Sequence, residues 1–232
     1  MTRTFLSALC ASLVAFSAAQ SASLGNAVAR TPISEFGASF LMFPSVQKEL
    51  GLSASTSKQI SDNYQKSFKA MMASAGTQAK TDPKAARTQI TNRMAEMRKM
   101  QTQNLNMLSA KQKARLREIT LQQMGAGALL HPEIKKALAI TPDEERKVTA
   151  IVRDGQMQMM ASYRPSSTTG KGSSMQANFA DMQKKRDEWQ VKMNAMAAKE
   201  LTSGQNAKWR AMLGKPFKID ILGGMRAMTP KK

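Results

Sequence analysis

Methionine is the residue type that offers this chain a chemistry beyond packing. There are 19 of them in 232 residues. Met157, Met159 and Met160 lie together, Met94, Met97 and Met100 recur at three-residue spacing, and Met193 and Met196 do the same. Thioethers are soft ligands that suit Cu(I), so Met157, Met159 and Met160 are weak copper candidates. The same spacing on a helix also fills a core, or makes an apolar surface that accepts varied partners. Other chemistry is sparse. His131 is the one histidine and Cys10 the one cysteine. The carboxylates are scattered among basic residues rather than paired near a nucleophile, which argues against acid–base or nucleophilic catalysis. A structural zinc or nickel site needs several nitrogen or sulfur ligands, and the chain has too few. The expectation is a protein that is not an enzyme and carries no cofactor.

Charge is the second signal. Lys and Arg number 35 against 16 Asp and Glu, a formal net charge of +19. An anionic partner fits such a balance, and nucleic acid is the usual one. The amino terminus redirects that expectation. One charge, Arg3, precedes an apolar run from Phe5 to Phe16, and small residues follow through Ser23. That pattern is a secretory leader over residues 1–23, and it would carry Cys10 away with it. Its apolar run is shorter than the roughly 20 residues a transmembrane helix needs, and no second run follows. Export, to the periplasm or the medium, favours acidic lipid headgroups, envelope polyanions or unfolded acidic chains over nucleic acid. The residues expected to meet them are Lys66, Lys69, Arg87, Arg93, Arg98 and Lys99 in the first half. Lys184, Arg186 and Lys192 follow in the second, with Met94, Met97, Met193 and Met196 as apolar neighbours. The plainer reading of the same cations is a solvated helix face.

Helices must position these groups. Four places put Leu or Ile before Ser or Thr, ahead of a helical pattern: Leu52-Ser53, Leu108-Ser109, Ile140-Thr141 and Leu201-Thr202. The hydroxyl can cap a helix start while Gln or Glu three residues on reaches back to the cap's own N–H. Gln112, Glu144 and Gln205 stand at that position, and Thr56 is a weaker substitute in the first copy. Between the paired motifs run apolar stripes at helical spacing. Ile60, Tyr64, Phe68 and Met71 form one, and Ile90, Met94, Met97 and Leu105 another. Val148, Ile151, Val152 and Met159 form a third, and Met182, Trp189 and Met196 a coiled-coil-like seam interleaved with Arg186 and Met193. Breaks at 75–83 and 164–174 separate the stripes. The motif, the break and the joining segment recur in the same order, as in a duplication.

The stretch from Leu52-Ser53 to Leu108-Ser109-Ala110-Lys111-Gln112 resembles the Spy/CpxP family of periplasmic stress proteins, known by two LTxxQ motifs around a helical hairpin. The resemblance implies an all-α fold of two tandem helical-hairpin units, copying in one chain the curved cradle that two chains of the family form. It also implies ATP-independent chaperoning of unfolded or partly folded exported proteins, or modulation of an envelope-stress sensor. The motif residues Leu52, Ser53, Leu108, Ser109, Gln112, Ile140, Thr141, Glu144, Leu201, Thr202 and Gln205 would then be helix caps. The alternatives are methionine-based copper binding and binding of an anionic envelope polymer or lipid surface. The expected organisation is a leader at 1–23, an N-terminal extension at 24–44, units at 45–130 and 131–217, and a tail at 218–232.

Overall fold

The computed structural model describes residues 32–75, 83–162, 175–221 and 223–224, with side chains at 32–70, 88–161, 181–221 and 223–224. The leader, Cys10 and most of both breaks lie outside the described residues. The fold is all-α: every regular element described is a helix. No described helix is long and apolar enough to cross a membrane. The chain divides into two compact units, one of Pro32–Gln123 together with the chain from Leu213 onward, the other of Met124–Met212.

The first unit opens with α1 (Ile33–Ala38), a 3-10 turn at Ser39–Met42 and α2 (Pro44–Glu49). Two long helices follow, α3 (Ala54–Ala75) and α4 (Pro83–Asn106), and then α5 (Ala110–Met124). Pro44 starts α2, where its missing N–H would have had no helical partner in any case. Gly51, at φ +61°, ends it: the Leu52 N–H donates to Gln47 O at 3.1 Å and the Gly51 N–H to Lys48 O at 3.0 Å. This paired closure needs a left-handed residue, which glycine supplies without a Cβ clash.

The core of this unit is aliphatic, with Ile33, Leu41, Val46, Ile60, Leu116, Ile119 and Leu121 all but fully buried. Residues 24–44 look like an extension in sequence, yet Ile33, Leu41 and Phe43 from that stretch are core. The approach is close: a Cβ on Gly37 would lie 2.5 Å from Thr120 Oγ1, so α1 rests almost backbone-to-side-chain on α5. The Tyr64 hydroxyl of α3 donates to Ala38 O, and Gln47 Nε2 to Leu41 O at 2.7 Å, which satisfies polar groups that burial would otherwise penalise. The tail returns here. Gln122 Nε2 donates to Leu213 O and Lys215 O, its Oε1 accepts from the Phe217 N–H, and Ile219 is buried.

The second unit runs from a 3-10 segment, Gly125–Leu130, through α6 (Pro132–Leu138), α7 (Pro142–Ser162), α8 (Met175–Lys199) and α9 (Ser203–Leu213). Gly125 takes φ +56°, and the next amide, Ala126 N–H, donates to Asn194 Oδ1 of α8 at 2.6 Å. His131 is buried and caps α6, its Nδ1 accepting from the Glu133 N–H at 3.3 Å. Its role there is structural. α6 closes as α2 does, with the Ile140 N–H donating to Lys135 O and the Ala139 N–H to Lys136 O. Here the left-handed position, φ +52°, is held by Ala139 rather than glycine. Leu129, Ile134, Leu138, Val148, Ala197, Leu201 and Trp209 form the core. α7 and α8 meet at Gly155, where the Met193 thioether lies so near that a Cβ would sit 2.2 Å from its sulfur.

Candidate functional site

The motif residues lie at helix starts and make the bonds that their types allow. The Gln112 N–H donates to Ser109 Oγ at 3.3 Å, and Gln112 Oε1 accepts from the Ser109 N–H at 2.9 Å. Thr202 and Gln205 repeat this at 3.3 and 2.8 Å, and Thr141 and Glu144 at 3.3 and 2.8 Å. At the first motif the Thr56 N–H donates to Ser53 Oγ at 3.1 Å, and the Thr56 hydroxyl reaches that same oxygen rather than a backbone N–H. Leu108 and Leu201 are buried, Leu52 and Ile140 half-buried, so each motif also plants an apolar side chain beside its cap.

The glutamine does more than cap. While Oε1 serves its own helix, Gln112 Nε2 donates to Leu50 O at 3.1 Å, tying the start of α5 to the end of α2. Gln205 Nε2 is placed alike, 3.4 Å from Ala139 O and 3.0 Å from Glu144 Oε2. In the second unit the later motif is thus bonded to the earlier one through Glu144, and in the first unit it is bonded to Leu50, two residues before the earlier motif. That use of both ends of one amide is not visible in a capping pattern alone. Glu144 is held below the usual carboxylate range, mainly by accepting from the Thr141 backbone and further by Gln205, against an opposing effect of burial.

Helix α4 carries a stripe whose helical period is evident in the sequence and whose facing is not. Ile90, Met94 and Met97 fall within about 60° of one another around the helix. Such a stripe ordinarily faces a core. Here it is open, with Ile90 46% exposed, Met94 60% and Met97 44%. Near the C-terminal end of α4 a polar pair makes the contact with α3: Asn104 is fully buried and accepts from Asn63 Nδ2 at 2.7 Å. Asn104 lies within about 20° of Met97 around the helix, so the two share a face and differ in position along it. The stripe lies nearer the N-terminal end of α4, where Gln89 and Arg93 are half-buried and the other side chains from Thr88 to Lys99 are exposed.

The expected cations divide accordingly. Arg93 and Arg98 lie on either side of the stripe, Arg98 exposed and Arg93 half-buried. Lys99 falls opposite Ile90 on α4, away from the open stripe, and Lys69 falls opposite the buried Ile60 on α3, away from that helix's packed face. Lys66 is exposed on the outer side of α3. Arg87 belongs to α4, and its side chain lies outside the described residues.

In the second unit the expected set separates. Met193 is seated on Gly155 between α7 and α8, and Arg186 is half-buried with Nη2 3.2 Å from Asp187 Oδ1, so neither is a free surface group. Met196 is 41% exposed. Lys192 is exposed and holds its ammonium 4.7 Å from the centre of the Trp189 ring, a cation–π contact at the rim. Lys184 is exposed. The copper candidates diverge: Met159 is buried, while Met157 and Met160 are 57% and 55% exposed on the outer side of α7 with Arg153 between them. Three thioethers so disposed on one helix do not converge on one ion. Among the described residues no three His, Cys, Asp or Glu side chains gather as metal ligands would.

No family model matches this chain, and neither a curated protein nor a solved structure matches it.

Proposed function

We propose that this chain is an exported, non-enzymatic holding protein that captures unfolded or partly folded polypeptides. The observation that carries the reading is the open Ile90–Met94–Met97 stripe on α4 with Arg93 and Arg98 at its edges. A folded protein of this charge gains nothing in stability from exposing such a row, whereas a surface for varied chains uses it directly. Methionine is unbranched and polarisable, so it adapts to many apolar shapes, and such surfaces are typical of promiscuous binders. A strongly positive net charge, +19 over the full sequence including the leader's Arg3, draws acidic chains from a distance, and the arginines at the stripe hold them near it. The LTxxQ-type motifs add support through their resemblance to the Spy/CpxP chaperones, with Gln112 and Gln205 making the bonds that such a motif requires.

The test is an aggregation assay with an acidic client diluted from denaturant, run at low and high salt. Suppression at near-stoichiometric ratios is expected. It should weaken as salt shortens the screening length from about 10 Å at 0.1 M to about 3 Å at 1 M. No suppression at either salt would end the reading. Tight binding to anionic vesicles without client protection would transfer support to an anionic envelope surface as the partner.

A further inference from the structure

Sulfur is largely kept out of the fully buried core of this fold. Among the described residues the buried core is Ile, Leu, Val and Ala with few others, and Met159 is the one methionine in it. By contrast, five of the seven exposed large apolar side chains are methionine: Met94, Met97, Met157, Met160 and Met196. Sequence spacing alone favours core filling for these residues, and the structure places them outside. Their exposure has a chemical consequence. A thioether is the most readily oxidised apolar side chain, and its sulfoxide is polar.

We propose that Met94 and Met97 are sulfoxidation sites for small two-electron oxidants of the hypohalous acid class, and that their oxidation abolishes the apolar stripe of α4 while leaving the fold intact. The sulfur lone pair attacks the electrophilic chlorine of hypochlorous acid, and hydroxide leaves. Water then adds to the chlorosulfonium sulfur, and chloride and protons depart. The net change is thioether plus HOCl to sulfoxide plus chloride plus a proton. The sulfur loses two electrons and the chlorine gains them. Two of the three apolar side chains in the stripe become dipolar, and only Ile90 remains.

The described cores offer the same reagent few sulfurs. Among the described residues, the first unit's fully buried side chains include no methionine, and Met94 and Met97 are themselves exposed, so their oxidation removes no core contact described there. In the second unit Met159 is buried, and Met193 is sheltered against Gly155. Met157 and Met160 oxidise as readily as Met94, and they act there as competing acceptors with no structural penalty. The change is reversible wherever a methionine sulfoxide reductase is present.

The consequence for client capture rests on the proposed holding function, but the modification itself does not. The full chain is titrated with hypochlorous acid and followed by peptide mass mapping, far-UV circular dichroism and the fluorescence of an apolar-surface dye. Expected at low dose is one added oxygen on each of Met94 and Met97, unchanged helicity and a loss of dye signal. Met94→Leu/Met97→Leu should keep the dye signal at the same dose, because leucine retains the stripe and cannot be oxidised. The proposal is overturned if Met159 and Met193 oxidise at the same dose as Met94. It is equally overturned if helicity falls together with the dye signal, or if the leucine variant loses the signal as the parent does. A client assay on the same samples separates the two ideas. Untreated protein that protects no client defeats the holding function, while the oxygen map and dye signal still decide the modification.

Discussion

Glu144 shows how one side chain carries both a local and a distant task. Its carboxylate accepts from the Thr141 N–H and from Gln205 Nε2, and this lowers its pKa below the ordinary 4.5. The sign follows by linkage. With a folded pKa below the unfolded one, the stabilisation is complete above the unfolded value and is lost as pH falls through the folded one. Neighbouring Asp143, lowered mainly by Lys147, contributes in the same window. Glu144→Gln restores the residue that the other motifs carry at this position, removes one titrating group and should flatten the acid limb of the unfolding temperature against pH. An unchanged acid limb would contradict the assignment. Ala139 offers a simpler case. At φ +52° it occupies a region that costs a non-glycine residue about 1–2 kcal/mol, while Gly51 fills the equivalent turn without that cost. Ala139→Gly should therefore raise stability, by roughly 1 kcal/mol, in urea unfolding. A loss of stability would mean that the Ala139 side chain contributes packing that outweighs the strain.

At the scale of helices, the second unit depends on the close fit of α7 to α8. Gly155→Val places methyl groups where the Met193 thioether now lies, and should destabilise by about 1–3 kcal/mol through overpacking. Valine is no worse a helix former than glycine, so propensity does not confuse the result. Adding Met193→Ala should recover part of the loss, since it empties the same space. Strict additivity of the two substitutions would show that the residues do not meet. Sequence alone shows the motif positions, the starts of α5, α7 and α9 and the helical period of each stripe. Caps and periods are local, set within one or two turns. Which part of α4 is packed is not local. It depends on Asn104 meeting Asn63 across 41 residues of chain, and a polar pair at a contact gives no periodic apolar signal. For the same reason α1 reads as an extension: its importance lies in Gly37 against Thr120, a contact between distant segments of small and polar residues. Gly155 gave no warning either, since a helical glycine signals close approach only once its neighbour is known.

In the whole molecule an aliphatic core holds the fold while methionines stand exposed among the described residues, and the proposed capture of varied chains would use that surface together with the positive charge. The candidate site was half legible: the residues of the α4 stripe and the arginines beside it are evident from type and spacing, while their exposure is not. Of the second-unit candidates, Met193 and Arg186 belong to packing, a distinction that composition cannot make. The central claim is that the open face of α4 is where clients are held. The most direct measurement is client aggregation in the presence of Ile90→Ser/Met94→Ser/Met97→Ser, compared with the parent at equal concentration after circular dichroism has shown equal helicity. Because these side chains are exposed, the triple change should leave unfolding nearly unshifted, within about 0.5 kcal/mol per site. Protection should fall to the level of a buffer control. A variant that protects its client as well as the parent does would contradict the account.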